Sequence, residues 1–181
     1  MKTFYQNRWR TMLRSVVLLA ALALVRVSVA GNVDLKISAI PKEESSDKDR
    51  AGNTAVATSE GFYKIALKNN SLINDTPALR AEYRVFFLID DGKTNRRDAE
   101  LKRESGAEDV PVIPGGEKFE FVTKAVKLRA KSLASGYYYT SGRRDTSRDE
   151  LEGIWVRVLD GDEVVEEFVH PSSLKRDQKF D

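Results

Sequence analysis

The chain has 181 residues, 32% charged and 41% hydrophobic, with 11 Gly, 5 Pro and no Cys. That length suits one domain with a sizeable core, and the lack of cysteine excludes disulfides, thiolate nucleophiles and Cys-based metal sites. The formal charge of +2 is misleading: residues 1–30 hold five bases and no acid, leaving 25 bases against 28 acids, net −3, over residues 31–181, so a nucleic-acid partner is not indicated.

Residues 1–14 are polar and basic, residues 15–25 (SVVLLAALALV) form an apolar run, and Ser28-Val29-Ala30 closes on small residues. This is the pattern of a signal peptide over residues 1–30, cleaved before Gly31, and it predicts export to the periplasm or the cell exterior. The run is about half the roughly 20 apolar residues of a spanning helix, so no transmembrane segment is expected after cleavage. Arg26 interrupts the small-residue end and leaves an uncleaved N-terminal anchor as the alternative.

From residue 33 onward the apolar period is two. Val33, Leu35 and Ile37 alternate with polar residues until Pro41. Residues 42–58 are charged, polar and small, which predicts a long polar loop. Tyr63, Ile65 and Leu67 mark the next strand, closed by Asn69-Asn70. The clearest strand is 79–89, with Leu79, Ala81, Tyr83, Val85, Phe87 and Ile89 on one face. Its other face carries Arg80, Glu82 and Arg84 before Phe86 and Leu88 take over.

Residues 91–108 are almost wholly charged and predict a second polar loop, with a helical turn around 98–103. Pro111 makes Val110–Ile113 a short edge strand, and Pro114-Gly115-Gly116 is a turn. Residues 117–128 alternate with a phase shift at Lys124-Ala125, which predicts a bulge. The pattern Ser147-x-x-Glu150 is a capping box and predicts the start of a short helix. Ile154, Val156 and Val158 alternate with Trp155, Arg157 and Leu159, and Asp160-Gly161-Asp162 turns the chain into a hairpin returning over 164–170. Residues 172–181 remain as a tail.

About seven short strands with turn signals between them predict an all-β domain over residues 31–171, an antiparallel β-sandwich, with a small β-barrel as the alternative. The Ile113-Pro-Gly-Gly-Glu117 turn feeding an aromatic strand resembles the immunoglobulin-like domains of bacterial surface and periplasmic proteins, over about residues 32–171. Tyr137–Tyr139 followed by Gly153-Ile-Trp-Val-Arg157 is also similar to a pattern in uncharacterised exported bacterial proteins. These resemblances imply an immunoglobulin-like fold and no particular activity.

His170 is the single histidine and stands before Pro171, without the partners of a His-based metal site. Asp90-Asp91, Asp160 with Asp162, and the group Asp145, Asp149, Glu150 and Glu152 read as turn and surface acids rather than catalytic pairs or calcium ligands. No phosphate-binding glycine loop is present. No catalytic, metal-binding or cofactor-binding residues are therefore expected.

Two regions stand out as binding candidates. Tyr137, Tyr138 and Tyr139, with Arg143 and Arg144 close behind, could form an aromatic platform for a glycan, although tyrosines packed into the sandwich account for them as well. Phe86 and Leu88, with Trp155, Arg157 and Leu159, point outward from two strands that an immunoglobulin-like sheet makes neighbours. Merged, they form a contact patch for a protein partner or for self-association, unless residues 91–108 or the tail 174–180 fold over it. The expected function is a non-enzymatic binding, assembly or accessory module of the bacterial envelope; the rival is a carbohydrate-binding or glycan-processing protein using Tyr137–Tyr139.

Overall fold

A computed structural model of the chain describes residues 33–92, 99–133 and 146–180. The expected signal peptide lies outside the described residues. Nine strands and one short helix are described, more than the seven strands expected. They are β1 (Leu35–Ala51), β2 (Thr54–Asn69), β3 (Leu79–Ile89), β4 (Glu100–Val110), β5 (Lys118–Val122), β6 (Val126–Leu133), β7 (Thr146–Arg148), β8 (Glu150–Asp160) and β9 (Glu163–His170), then helix α1 (Ser173–Asp177).

The strands form two antiparallel sheets, one ordered β1-β2-β6-β7 with β5 also on β2, the other β4-β3-β8-β9. The fold is an all-β sandwich, and one sheet is curled into a half-barrel. The inner faces meet in one core. Leu35, Ile37, Tyr63, Ile65, Leu67, Phe121, Val126 and Leu128 come from the first sheet; Leu79, Ala81, Tyr83, Val85, Ile154, Val156 and Val158 come from the second. These are the residues whose alternation marks the strands in the sequence. Each fully buried Ile, Leu or Val among them stabilises the fold by about 1.5–3 kcal/mol.

Both expected polar loops contain strands. Residues 42–58 are instead the far half of a long hairpin, in which β1 pairs with β2 from Leu35 opposite Asn69 to Ala51 opposite Thr54. The turn is Gly52-Asn53, with Gly52 at φ 60°, the left-handed backbone that a two-residue hairpin requires. The charges on β1 follow from its position at a sheet edge, where Lys and Glu discourage pairing with other chains. Likewise Glu100–Val110 is strand β4, paired with β3 along its whole length, Leu79 opposite Val110 and Ile89 opposite Glu100. It too is an edge strand, and its side chains are mostly exposed. No helical turn forms over 99–103.

Three further expectations are corrected. The short strand over 110–113 is absent: Val110 ends β4, and Ile113 is fixed by Thr76, whose N–H donates to the Ile113 carbonyl at 3.0 Å and whose Oγ1 accepts from the Ile113 N–H at 2.9 Å. The bulge near Lys124-Ala125 is a break between two strands, β5 and β6, which pair in succession with β2. Thr123 fills the gap by exchanging hydrogen bonds of 3.0 Å with the Tyr63 backbone. Ser147 begins no helix but lies within β7, because pairing with β6 satisfies its backbone.

Candidate functional site

Strands β3 and β8 are neighbours, with Arg84 opposite Trp155 and Phe86 opposite Gly153. This brings Phe86 and Trp155 together on the outer face of the second sheet. They are not open to solvent: Phe86 is 1% and Trp155 3% exposed. The cover is the C-terminal segment, whose Leu174 and Phe180 complete a second apolar cluster with half-buried Leu101 and Val169. The expected contact patch is therefore an internal seam, closed by the tail. Leu88 and Leu159 are half-buried and lie outside that cluster.

The seam is held by side chains. The Phe180 ring meets Trp155 edge-on at 5.4 Å between centroids, and the guanidinium carbons of Arg157 and Arg84 lie 4.2 and 4.6 Å from its centroid. Such cation–π contacts are worth roughly 0.5–2 kcal/mol each. Arg84 Nη1 donates to the Lys179 carbonyl at 3.3 Å. Glu167 accepts from Trp155 Nε1 at 2.9 Å, from Arg157 Nε at 3.0 Å and from Lys175 Nζ. Partial burial pushes the Glu167 carboxyl up, but these three donors outweigh it and hold it down at about 2.

The other end of the molecule has the opposite character. The inner face of β2 runs Leu67, Ile65, Tyr63, Gly61, Ser59, Ala57, Ala55, and only the first part is covered by the second sheet. At Gly61 the core closes tightly: a Cβ there would come within 2.7 Å of Leu128 Cδ1 and 3.1 Å of Leu151 Cγ. Beyond it the side chains shrink and, among the described residues, the inner face is only partly covered: Ala57 and Ala130 are half-buried and Ala55 is exposed. Register sets Lys48, Ala57, Ala130 and Arg148 in one row across four strands, and Arg50, Ala55, Ser132 and Thr146 in another. Directly opposed residues share a face, so these rows continue the inner face of the core.

The result is a cleft of about 410 Å³ lined by Lys48, Ala57, Ala130 and Arg148 of the first row, by Ala55, Ser132 and Thr146 of the second, and by Asp49, Val56, Lys131 and Ser147 between them. That volume falls in the range of roughly 300–1,000 Å³ usual for small-molecule sites. A second, more polar cleft of about 400 Å³ adjoins it, lined by Pro41, Lys42, Glu43, Arg148, Glu150 and Leu151. Where the two meet, Arg148 Nη2 donates to Glu43 Oε2 at 3.1 Å, and Ser59 Oγ donates to Glu43 Oε1 at 2.6 Å.

Asp149 braces this end. It is 6% exposed, and its carboxylate accepts from the Asp90 N–H at 2.9 Å and the Arg129 N–H at 3.0 Å. It thereby ties the end of β3 to β6 where the chain crosses from one sheet to the other. The cleft residues carry no apolar period in the sequence, because five of the eleven lie in the charged and polar segment 42–58. The one local signal was Gly52-Asn53, a hairpin dipeptide.

Tyr137, Tyr138, Tyr139, Arg143 and Arg144 lie outside the described residues, in the segment joining β6 to β7. His170 ends β9 and is exposed. Among the described residues no group of three His, Cys, Asp or Glu is placed to hold a metal ion, and no described helix is long and apolar enough to cross a membrane.

No protein-family model and no curated protein matches the sequence. Among solved structures, the chain is similar to a Bordetella pertussis protein provisionally named ApaA, at 13% identity and TM-score 0.35, covering 76% of this chain and 92% of that one. It is also similar to the Northeast Structural Genomics Consortium target SoR45, at 12% identity and TM-score 0.33, covering 75% of this chain and 88% of that one.

Proposed function

We propose that the protein is a non-enzymatic binding module exported to the bacterial envelope, with the end of the first sheet beyond the core as its binding groove. One observation carries this reading: the inner face of the first sheet continues past the core as a cleft of about 410 Å³ with small side chains on its floor. An enclosed core position would hold large side chains; Ala55, Ala57, Ala130 and Ser132 leave room for something else. The signal-peptide pattern of residues 1–30 supports export.

The test is retention of a native partner or ligand by protein recovered from its own envelope fraction. Ala57→Trp fills the floor of the groove. We expect this variant to melt like the wild type and to lose what the wild type retains; equal retention would move the binding site elsewhere. Intact mass of the recovered protein should begin at Gly31, and retention of residues 1–30 would favour the anchored form.

Carbohydrate binding through Tyr137–Tyr139 is a second reading. It is favoured by chain connectivity alone: the segment carrying these tyrosines joins β6 to β7, and Ser132 and Thr146, paired near its two ends, line the cleft. Glycan-array binding lost on Tyr137→Ala and Tyr139→Ala would support it.

A further inference from the structure

The groove has a definite distribution of charge. Its floor is methyl and hydroxyl, from Ala55, Ala57, Ala130, Ser132 and Thr146; Lys48 and Asp49 line it from β1, where Arg50 follows on the face of Lys48, and Arg148 lines it from β7. Cations thus stand on both sides of an apolar trough. At its polar end a carboxylate is already held in place: Glu43 takes hydrogen bonds from Arg148 Nη2 and Ser59 Oγ. That pair satisfies Arg148, so the positive charge offered to a ligand comes from Lys48 and Arg50 on β1. The floor offers a ligand only apolar contact and two hydroxyls.

We infer that the groove takes a medium-chain carboxylic acid, its unbranched apolar tail along the alanine floor and its carboxylate toward the cations of the rim. This rests on the reading of the end beyond the core as the binding groove and adds the chemistry of the ligand. Each methylene taken out of water stabilises the complex, in a trough that can accept a chain without displacing any large side chain. The carboxylate adds charge-assisted hydrogen bonds, which Arg forms in pairs and Lys singly. A saccharide fits the floor poorly, since it needs aromatic faces and many polar partners. A purely apolar chain would make no use of Lys48 and Arg50 on the β1 side of the trough.

The full chain, titrated calorimetrically with decanoate below its micelle concentration, tests this. Decanoate should bind the wild type and fail to bind Ala57→Trp. The double substitution Lys48→Ala with Arg50→Ala should weaken binding about tenfold, the loss of one charge-assisted contact. Neutral decanol should bind more weakly than decanoate. Absence of decanoate binding to the wild type, equal binding by Ala57→Trp, or decanol binding as tightly as decanoate would each overturn the inference. Decyl phosphate binding more tightly than decanoate would overturn the head-group assignment. Circular dichroism and melting of each variant confirm that it is folded, and a wild-type-like melt for Ala57→Trp keeps its result interpretable. If decanoate fails but Ala57→Trp still loses its envelope partner, the groove stands and only the ligand class falls; if that partner is kept, the groove itself is wrong.

Discussion

The outer face of the second sheet and the inner face of the first, beyond the core, each set apolar residues beside arginine, yet one is sealed and the other is not. On the sealed face the residues are large, and Phe86 and Trp155 are 1% and 3% exposed beneath Leu174 and Phe180. On the open face they are Ala55, Ala57 and Ala130. The contrast follows from the magnitude of burial. Leaving a large apolar side chain exposed forfeits about 1.5–3 kcal/mol, whereas an alanine forfeits far less. A surface of Trp and Phe needs a cover, and the tail supplies it. A surface of alanines can stay open, and only an open surface can receive a ligand.

The largest expected effect lies on the sealed face. Trp155→Ala should destabilise the domain by about 3–5 kcal/mol, as removal of a buried aromatic side chain does, and thermal melting would show it. A change of a few tenths would mean that the seam is not packed. Phe180→Ala should cost about 2 kcal/mol of tail docking, read as faster amide exchange over 173–180 while the strands keep their protection.

A smaller effect comes from acid. Glu167 is held at about 2 against an ordinary value near 4.5. Its contribution is therefore complete above the ordinary carboxylate value and is lost as pH falls from there through 2. Trp155 fluorescence should report tail loosening over that window, and Glu167→Gln should remove the pH dependence. Smallest of all should be Ala57→Trp, within about 0.5 kcal/mol of the wild type, because the space it fills is open. A large loss would mean that the groove is a closed part of the core.

The strands that build the core were legible in the sequence. Tyr63, Ile65 and Leu67, the 79–89 run and Ile154, Val156 and Val158 alternate because one face of each meets the opposite sheet. The neighbouring strands β1, beyond Ala39, and β4 were not legible, because edge strands carry charge on both faces and lose the apolar period. Only Gly52-Asn53 pointed to the long hairpin. The excess of apolar residues at Phe86 and Trp155 was visible, and so was the tail as one possible cover. That the tail is the segment covering them was not, since Leu174 and Phe180 stand six residues apart with no period to reveal a shared face. The groove was hidden for the same reason as the hairpin: its floor belongs to strands whose other residues are polar.

The chain lacks cysteine, so a single introduced thiol is the sole reporter of its surroundings. The most direct test of one sealed and one open face compares maleimide labelling of Ala57→Cys and Phe86→Cys in the native full-length protein. Cysteine at 57, half-buried on the floor of the cleft, should react within about tenfold of the rate of the unfolded chain. Cysteine at 86 should react roughly a hundredfold more slowly, limited by opening of the tail. Equal rates at the two positions, or faster labelling at 86, would contradict the account.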